Sequence, residues 1–322
     1  MRFASLLCVL CLTCLPISAH AQTELQLGHP QPESSAFQAG AQAFAADFER
    51  RTGGRYKIII SPAGILGGER TLVAKAQNGN IDLVLTSTGP VGHFVPETLL
   101  TDIPFLFRDS AHAHKVLDGP IGQDILARFQ ANKLVALAWG ENGFRHLTNN
   151  RLPIRTPEDL QGLKIRTMEN PVHITAFKVL GARPVPMSFT DLYAALQSEK
   201  IDGQENPLPT ILSSGFGPIQ KYLSLTGHVY SAALFIAAPA TVNKLSEADR
   251  KALFDAAKSG AAAMRKRVAE IEATALDELK QQGMRVENEI NKERFQAALS
   301  AAYADYAKRF GASTLERIRN QK

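Results

Sequence analysis

The stretch GLKIRTMENPVHITAFKVLGARPVPMSFTDLYAALQSEKIDGQENP, Gly162–Pro207, decides the fold. Gly162–Arg166 reads as a strand with an arginine at its carboxyl end. Val172–Leu180 carries an apolar helical pattern, Arg183–Pro186 is strand-like, and Ser188 starts a capped helix. Asp202–Pro207 reads as a further strand running into a turn and a helix. The order is β-α-β-α-β, the unit of a parallel sheet with helices on its faces. Ligands of such sheets bind outside the carboxyl ends of the strands, where Arg166 and Asn206 fall. A guanidinium there suits a carboxylate, which it grips with two parallel hydrogen bonds. Taken alone, Arg166 is explained more simply by a pair with a surface acid such as Glu169.

The same run resembles the solute-binding proteins of tripartite ATP-independent periplasmic (TRAP) transporters, the DctP family. The shared pieces are Gly162-Leu163-Lys164-Ile165-Arg166, then GARPVPMSF ending at Phe189, then Ala195-Leu196-Gln197, then Ile201–Pro207. Four linked pieces in order over about fifty residues make a specific match. The resemblance extends from Leu25 to the C-terminus. It implies a type II-like periplasmic binding protein fold: two α/β lobes, parallel or mixed sheets flanked by helices, and one long helix spanning both.

The N-terminal half agrees. Glu24–Gly28, Tyr56–Ser61 and Ile81–Thr86 read as strands. A helix capped by Ser34, with Phe37, Ala41, Phe44, Ala45 and Phe48 on one face, lies between the first two. Glu69–Gln77 is a second helix, and this lobe too is α/β. Ser110–Leu117 and Ile121–Ala131 are short helices. His112 and His114 lie two apart, so they point apart on a helix and read as solvated, not as a metal pair. Leu134–Trp139 is a buried strand, with Tyr222–Leu225 and Ser231–Ala238 as later ones. Ser246 caps a helix reaching Gln282, about 55 Å at 1.5 Å per residue. That exceeds the width of one lobe, so the helix crosses both, and Gly260 is a place for a bend. The implied division is residues 22–143 plus 230–265 in lobe I and 144–229 plus 266–322 in lobe II, with the ligand cleft between.

Several positions carry two readings. The loop Ser87-Thr88-Gly89-Pro90 follows a strand end, so Ser87 and Thr88 either reach a ligand's polar end or cap the next turn. Arg145, within Glu141–Thr148, falls where relatives carry a second arginine; the alternative is a structural ion pair at the hinge. Phe189 stacks on a ligand's carbon skeleton in relatives, or is ordinary core. His228 edges the site or is structural.

Residues 1–21 read as a secretory signal peptide: Arg2, an apolar run Phe3–Ile17, and Ala19-His20-Ala21 before cleavage at Gln22. Cys8, Cys11 and Cys14, the only cysteines, leave with it. The mature chain then has no thiol chemistry and no cysteine metal site. Arg2 leaves too, so the formal charge falls from +5 to +4. Basic residues are scattered, which excludes a nucleic-acid footprint and suits a small anion. No hydrolase, zinc-protease or nucleotide-binding motif is present. The reading is therefore a periplasmic, monomeric receptor with no cofactor and no metal. It takes up a small organic acid (a C4-dicarboxylate, a sugar acid or a related carboxylate) by lobe closure and delivers it to TRAP membrane subunits. Ligand residues are Arg166, Arg145, Asn206, Phe189, Ser87 and Thr88. The rivals are a secreted enzyme acting on a carboxylate and a periplasmic sensor of the same fold.

Overall fold

The structure, a computed structural model, describes residues 22–321. The signal-peptide segment lies outside them. Strand and helix alternate at once: β1 (Thr23–Gly28), α1 (Ala36–Arg51), β2 (Tyr56–Ser61), α2 (Glu69–Gln77) and β3 (Leu83–Ser87). β1 pairs in parallel with β2 and β3, as crossover helices require. α1 buries Phe37, Ala41, Phe44 and Phe48, the face its periodicity predicts. Its cap is Ser35, not Ser34: the Ser35 N–H closes a turn onto the Pro32 carbonyl, and the Ser35 hydroxyl accepts from the N–H of Gln38 in the first turn.

After β3 the expected loop is a single helical turn, α3 (Thr88–Val91). α4 (Ser110–Asp118) and α5 (Pro120–Ala127) lead into β4 (Val135–Asn149). The deciding stretch folds in the order read: β5 (Lys164–Thr167), α6 (Pro171–Val179), β6 (Arg183–Pro186), α7 (Phe189–Gln197), β7 (Gly203–Pro207) and α8 (Leu208–Ser213), although Ser188 makes no side-chain cap on α7 because its hydroxyl pairs with that of Thr190. β5 lies parallel to both β6 and β7.

β8 (Tyr222–Ala237) joins what read as two strands. Gly227, at φ +53°, sits in the irregularity between them. There four residues of β8, Leu225–His228, stand against the single His146 of β4. A bulge of that kind interrupts a ladder without ending the strand. β4 and β8 run antiparallel along their whole length and carry the chain through both lobes. One sheet results, in the order β2-β1-β3-β8-β4-β7-β5-β6, with β9 (Arg285–Glu287) beside β8. Its two ends are the parallel sheets of the two lobes.

α9 (Pro239–Val242) precedes α10 (Glu247–Gln281), whose 35 residues span about 52 Å. Ser246 caps it through the Asp249 N–H, as read. Leu253, Ala257, Ala261 and Met264 pack into the first lobe's core with α1; Ile271, Ala275 and Leu279 enter the second lobe's core. α10 continues unbroken through Gly260. That glycine answers a close approach: an added Cβ would lie 2.8 Å from the Gly40 carbonyl and 2.8 Å from Phe44 Cβ of α1.

α11 (Lys292–Ala298), α12 (Ser300–Phe310) and α13 (Ala312–Arg319) close the front. Tyr306 donates to the Val172 carbonyl at 2.8 Å and Tyr303 to the Pro104 carbonyl at 3.2 Å, so α12 touches both lobes. His112, expected in solvent, is buried with Nε2 2.8 Å from the Ile318 carbonyl, because α13 covers it. His114 is half-buried against Glu141. Gly260→Val is expected to destabilise by about 1–3 kcal/mol, the range for overpacking; a melting temperature equal to wild type would show that α1 and α10 do not need this contact.

Candidate ligand site between the lobes

The carboxyl ends of β3, β5 and β7 meet where the lobes face each other. Arg166, on the central β5, is buried. Its Nε and Nη2 donate to the Met187 carbonyl at 3.0 and 2.7 Å. Its Nη1 is buried with no partner. Burial brings its pKa down to about 10, opposed by the charge of Glu205, so it stays cationic at neutral pH. Glu169 is not its partner; that carboxylate pairs with Arg70 at 2.8 Å.

Arg145 is fully buried on β4 and committed elsewhere. It forms an ion pair with Glu205 of β7, with Nη2 2.9 Å from Glu205 Oε1. Nη2 also meets Asn206 Oδ1 at 3.2 Å, and Nη1 meets Ser231 Oγ of β8 at 3.3 Å. The hinge ion pair is thus present, and it ties β4, β7 and β8 together. Burial pushes the Glu205 carboxyl up, but the Arg145 charge and the neighbouring His173 and His228 hold it well below the usual range. His228 Nε2 stands 3.3 Å from Glu205, so this histidine is part of the same buried network. His173 lies 3.8 Å from Glu205, and both its ring nitrogens are buried without a hydrogen bond.

Asn206 is buried; besides accepting from Arg145, its Nδ2 donates to Gln204. Thr88 donates to Asp102 Oδ1 at 2.7 Å, and Asn170 Nδ2 donates to Asp102 Oδ2 at 2.9 Å. Burial raises the Asp102 pKa, against His173, Thr88 and other donors. Ser87 heads α3 but makes no side-chain cap, so the capping alternative does not account for its hydroxyl. Phe189 is half-buried in the first turn of α7, against the second lobe's core.

Two carboxylates escaped the sequence reading. Glu205 had one signal, its place in the middle of the strand read over Asp202–Pro207; the strand proves wholly buried, Glu205 included. Glu69, at the first turn of α2, is buried and accepts from the Ser87 N–H at 2.8 Å and Thr86 Oγ1 at 3.1 Å, both through Oε1. It lies near enough for its charge to help hold the Arg166 proton. Among the described residues no group of three or more His, Cys, Asp or Glu side chains is placed to hold a metal.

The lobes are shut on each other. Arg70 crosses to Glu169, and His93 Nε2 lies 2.9 Å from the Glu169 carbonyl. Glycines allow the approach: a Cβ on Gly68 would fall 2.4 Å from Ser188 Oγ, and one on Gly89 would fall 2.9 Å from Met168 Cε and 3.0 Å from Asn170 Nδ2. Behind the site, Gly143 turns β4 at φ +108° beside a bulge. Glu272 of α10 packs there, where a Gly143 Cβ would meet its Oε1 at 3.0 Å. Burial, and then the charge of Glu141, push the Glu272 carboxyl up to about 7.

Two α/β lobes joined by continuous strands, closing over a buried guanidinium, define the class of two-lobed solute-binding proteins. The chain belongs to bacterial extracellular solute-binding protein family 7, the DctP family, whose model matches residues 27–309. A solute-binding protein of Verminephrobacter eiseniae is 48% identical over 303 residues, 94% of this chain and 90% of its own. A TRAP periplasmic solute-binding protein from a Polaromonas species, solved bound to D-erythronate, is 50% identical with a TM-score of 0.92, over 94% of this chain and 99% of its own. One from Bordetella bronchispeptica, with density assigned as pantoate, is 48% identical with a TM-score of 0.92, over 94% and 100%. The family works in the periplasm with membrane permease subunits. No helix among the described residues is long and apolar enough to cross a membrane.

Two outcomes follow from this geometry. Gly68→Val holds the lobes apart at Ser188, so ligand affinity is expected to fall at least about tenfold, a loss of about 1.4 kcal/mol. The unliganded melting temperature is expected to stay near wild type; an unchanged affinity would mean the seam does not close on the ligand. Glu272 binds a proton in the folded state that the unfolded chain has already lost between about pH 4.5 and 7. Its contribution is therefore complete below pH 4.5 and lost as pH rises through 7. Glu272→Gln is expected to raise the melting temperature at pH 8 relative to wild type; an equal gain or loss at pH 4 and pH 8 would remove the carboxyl from this role. Depressed histidines such as His146, lowered to about 3 mainly by burial, act in the opposite direction. They are common to both proteins and cancel in the comparison.

Proposed function

We propose that the chain is a periplasmic receptor that captures a short hydroxylated monocarboxylate between lobes 22–143 plus 230–265 and 144–229 plus 266–322. It then delivers the acid, chemically unchanged, to a TRAP membrane permease. In this reading residues 1–21 are the cleaved export signal, the mature protein is a monomer, and nucleic acid has no part. The observation that carries it is Arg166 Nη1: a buried cationic donor with no protein partner. Buried polar groups are almost always paired, so such a group marks where an acceptor binds. A carboxylate meeting Nη1 satisfies it with a charge-assisted bond.

The remaining assignments follow from which atoms are free. Asn206 keeps one amide hydrogen beyond its bond to Gln204, and Ser87 keeps its hydroxyl. Phe189 offers a ring face to the carbon chain. Arg145 and Thr88 move from contact to positioning, because Glu205 and Asp102 engage them. Glu69, on α2 across the seam from the clamp's strand, is an acceptor for a ligand hydroxyl. A second carboxylate finds no second free guanidinium and faces Glu69, which disfavours dicarboxylates. The relatives solved with D-erythronate and pantoate support the hydroxy-acid reading.

Calorimetry with D-erythronate and succinate tests it. Wild type is expected to bind erythronate and to bind succinate at least about tenfold more weakly. Arg166→Ala is expected to lose about 100-fold or more, at the upper range for a hydrogen bond to a charged group, with melting close to wild type. Glu69→Gln is expected to narrow the gap between the two acids. Undiminished affinity in Arg166→Ala removes the clamp; tighter binding of succinate removes the monocarboxylate reading and leaves the receptor reading standing. Turnover of the bound acid would replace the receptor with an enzyme.

A further inference from the structure

Asp102 interrupts an otherwise apolar run, LLTDIPFLF over residues 99–107, and is fully buried. Two neutral donors hold its carboxylate, one on each oxygen, and they come from opposite lobes. Thr88 Oγ1, on α3 beyond the carboxyl end of β3, donates to Oδ1 at 2.7 Å. Asn170 Nδ2, just ahead of α6 and beyond the carboxyl end of β5, donates to Oδ2 at 2.9 Å. Asp102 ends the short 3₁₀ helix Pro96–Asp102, which goes with α3: Thr98 Oγ1 also reaches the Thr88 carbonyl at 3.5 Å. The bond to Asn170 is therefore the one that crosses the seam. All three side chains are buried.

Asn170 has a second task. Its Oδ1 caps α6, accepting from the N–H of Val172 at 2.8 Å and that of His173 at 3.4 Å. One amide thus spends its oxygen inside its own lobe and its nitrogen on the other. A cap needs only the oxygen, which serine or aspartate supplies as well; the nitrogen is what asparagine adds. Gly89, beside Thr88, lets α3 come this close, since an added Cβ would lie 3.2 Å from Asn170 Cβ. A buried carboxylate is costly unless hydrogen bonds replace its water. Opening the cleft returns Oδ2 to water, and closing exchanges that water for an amide already fixed by its cap, so little side-chain freedom is lost.

We propose that Asp102 and Asn170 are positioning residues that form a closing latch, setting how readily the lobes shut whatever acid lies between them. The inference rests on the receptor reading above. A hydrogen bond to a charged group shifts such an equilibrium by about tenfold or more. For a receptor mostly open when empty, apparent affinity scales with the closed fraction. Loss of the latch then weakens every ligand by one factor, whereas loss of a ligand contact changes the ratio between ligands.

Asn170→Ser isolates the latch, because it keeps a capping oxygen and removes the amide nitrogen. Calorimetry with D-erythronate and succinate is expected to show both acids weakened about tenfold, by the same factor, with unliganded melting close to wild type. Asn170→Asp keeps the cap but sets a second carboxylate against Asp102, and is expected to weaken binding further. Adding Asp102→Asn to it restores one donor and one acceptor with their direction reversed, and is expected to recover most of the affinity. Unchanged affinities in Asn170→Ser overturn the proposal. So does a loss confined to one acid, which would make Asn170 a ligand contact. A combined variant no better than Asn170→Asp also overturns it and leaves both residues as ordinary packing. Wild-type protein that binds neither acid removes the receptor reading, and the latch with it.

Discussion

Two guanidiniums are buried where the lobes join, and one carboxylate, Glu205, lies among them. Everything else at the site follows from how that carboxylate is shared. Taking a charge out of water costs several kcal/mol unless a partner and hydrogen bonds replace the lost solvation. Arg145 receives the full replacement, from Glu205, Asn206 and Ser231. It can therefore act as a fixed post that holds three strands in register. Arg166 donates two bonds to one backbone carbonyl and none from Nη1. The unequal sharing separates a fully partnered arginine from one that keeps a free donor, although both lie at strand positions with similar burial.

The fold supplies what such a site requires of its frame. β4 and β8 pass through both lobes, so the lobes can rotate without breaking a covalent or hydrogen-bonded connection at the back. The irregular points are local: Gly143 at positive φ, the bulge beside it, and the four-residue excursion of β8 opposite His146. α10 lies along the same junction and contributes to both cores, which limits the motion to bending about that line. On the front, two glycines do the opposite work. Gly68 and Gly89 let side chains of the second lobe, Ser188, Met168 and Asn170, pack directly on first-lobe backbone at the seam, which narrows the room for water there. Exclusion of water strengthens the Arg166 interaction: at 4 Å a unit pair gains about 1 kcal/mol in bulk water and about 4 at an effective dielectric of 20.

What was legible in the sequence was what local rules determine. β2, β6 and α2 carry the bounds that β-branched runs, glycine and helix periodicity suggest, and Ser246 caps α10 as its spacing to Asp249 implies. Arg166 was singled out by the family resemblance of its motif, since its place at a strand's carboxyl end, taken alone, suggested only a surface ion pair. The failures share a cause: each depended on a distant segment. His112 reads as solvated until α13, two hundred residues later, covers it. Gly260 reads as a bend until α1 is laid against it. β8 reads as two strands because Gly227 looks like an end, and only the unbroken β4 opposite keeps them one. Glu205 and Glu69 gave no local sign of their partners, since an acid's worth in a core is set by the cation or N–H brought to it from elsewhere.

The unpartnered Nη1 also bears on how binding drives closure. Leaving a buried donor unsatisfied costs about 1–3 kcal/mol, and more when the group is charged. The shut arrangement without an anion carries that penalty, while an open cleft gives Nη1 back to water. The empty protein is thereby biased toward the open state by a factor of roughly five to a hundred or more, from this group alone. In the proposed complex a carboxylate would remove the penalty only when the lobes are closed, because the other proposed contacts, at Ser87 and Glu69, come from the opposite lobe. Ligand and closure are then linked through a single atom's hydrogen bond. A permease that distinguishes shut from open receptors would, by the same link, be reading whether Nη1 has found its acceptor.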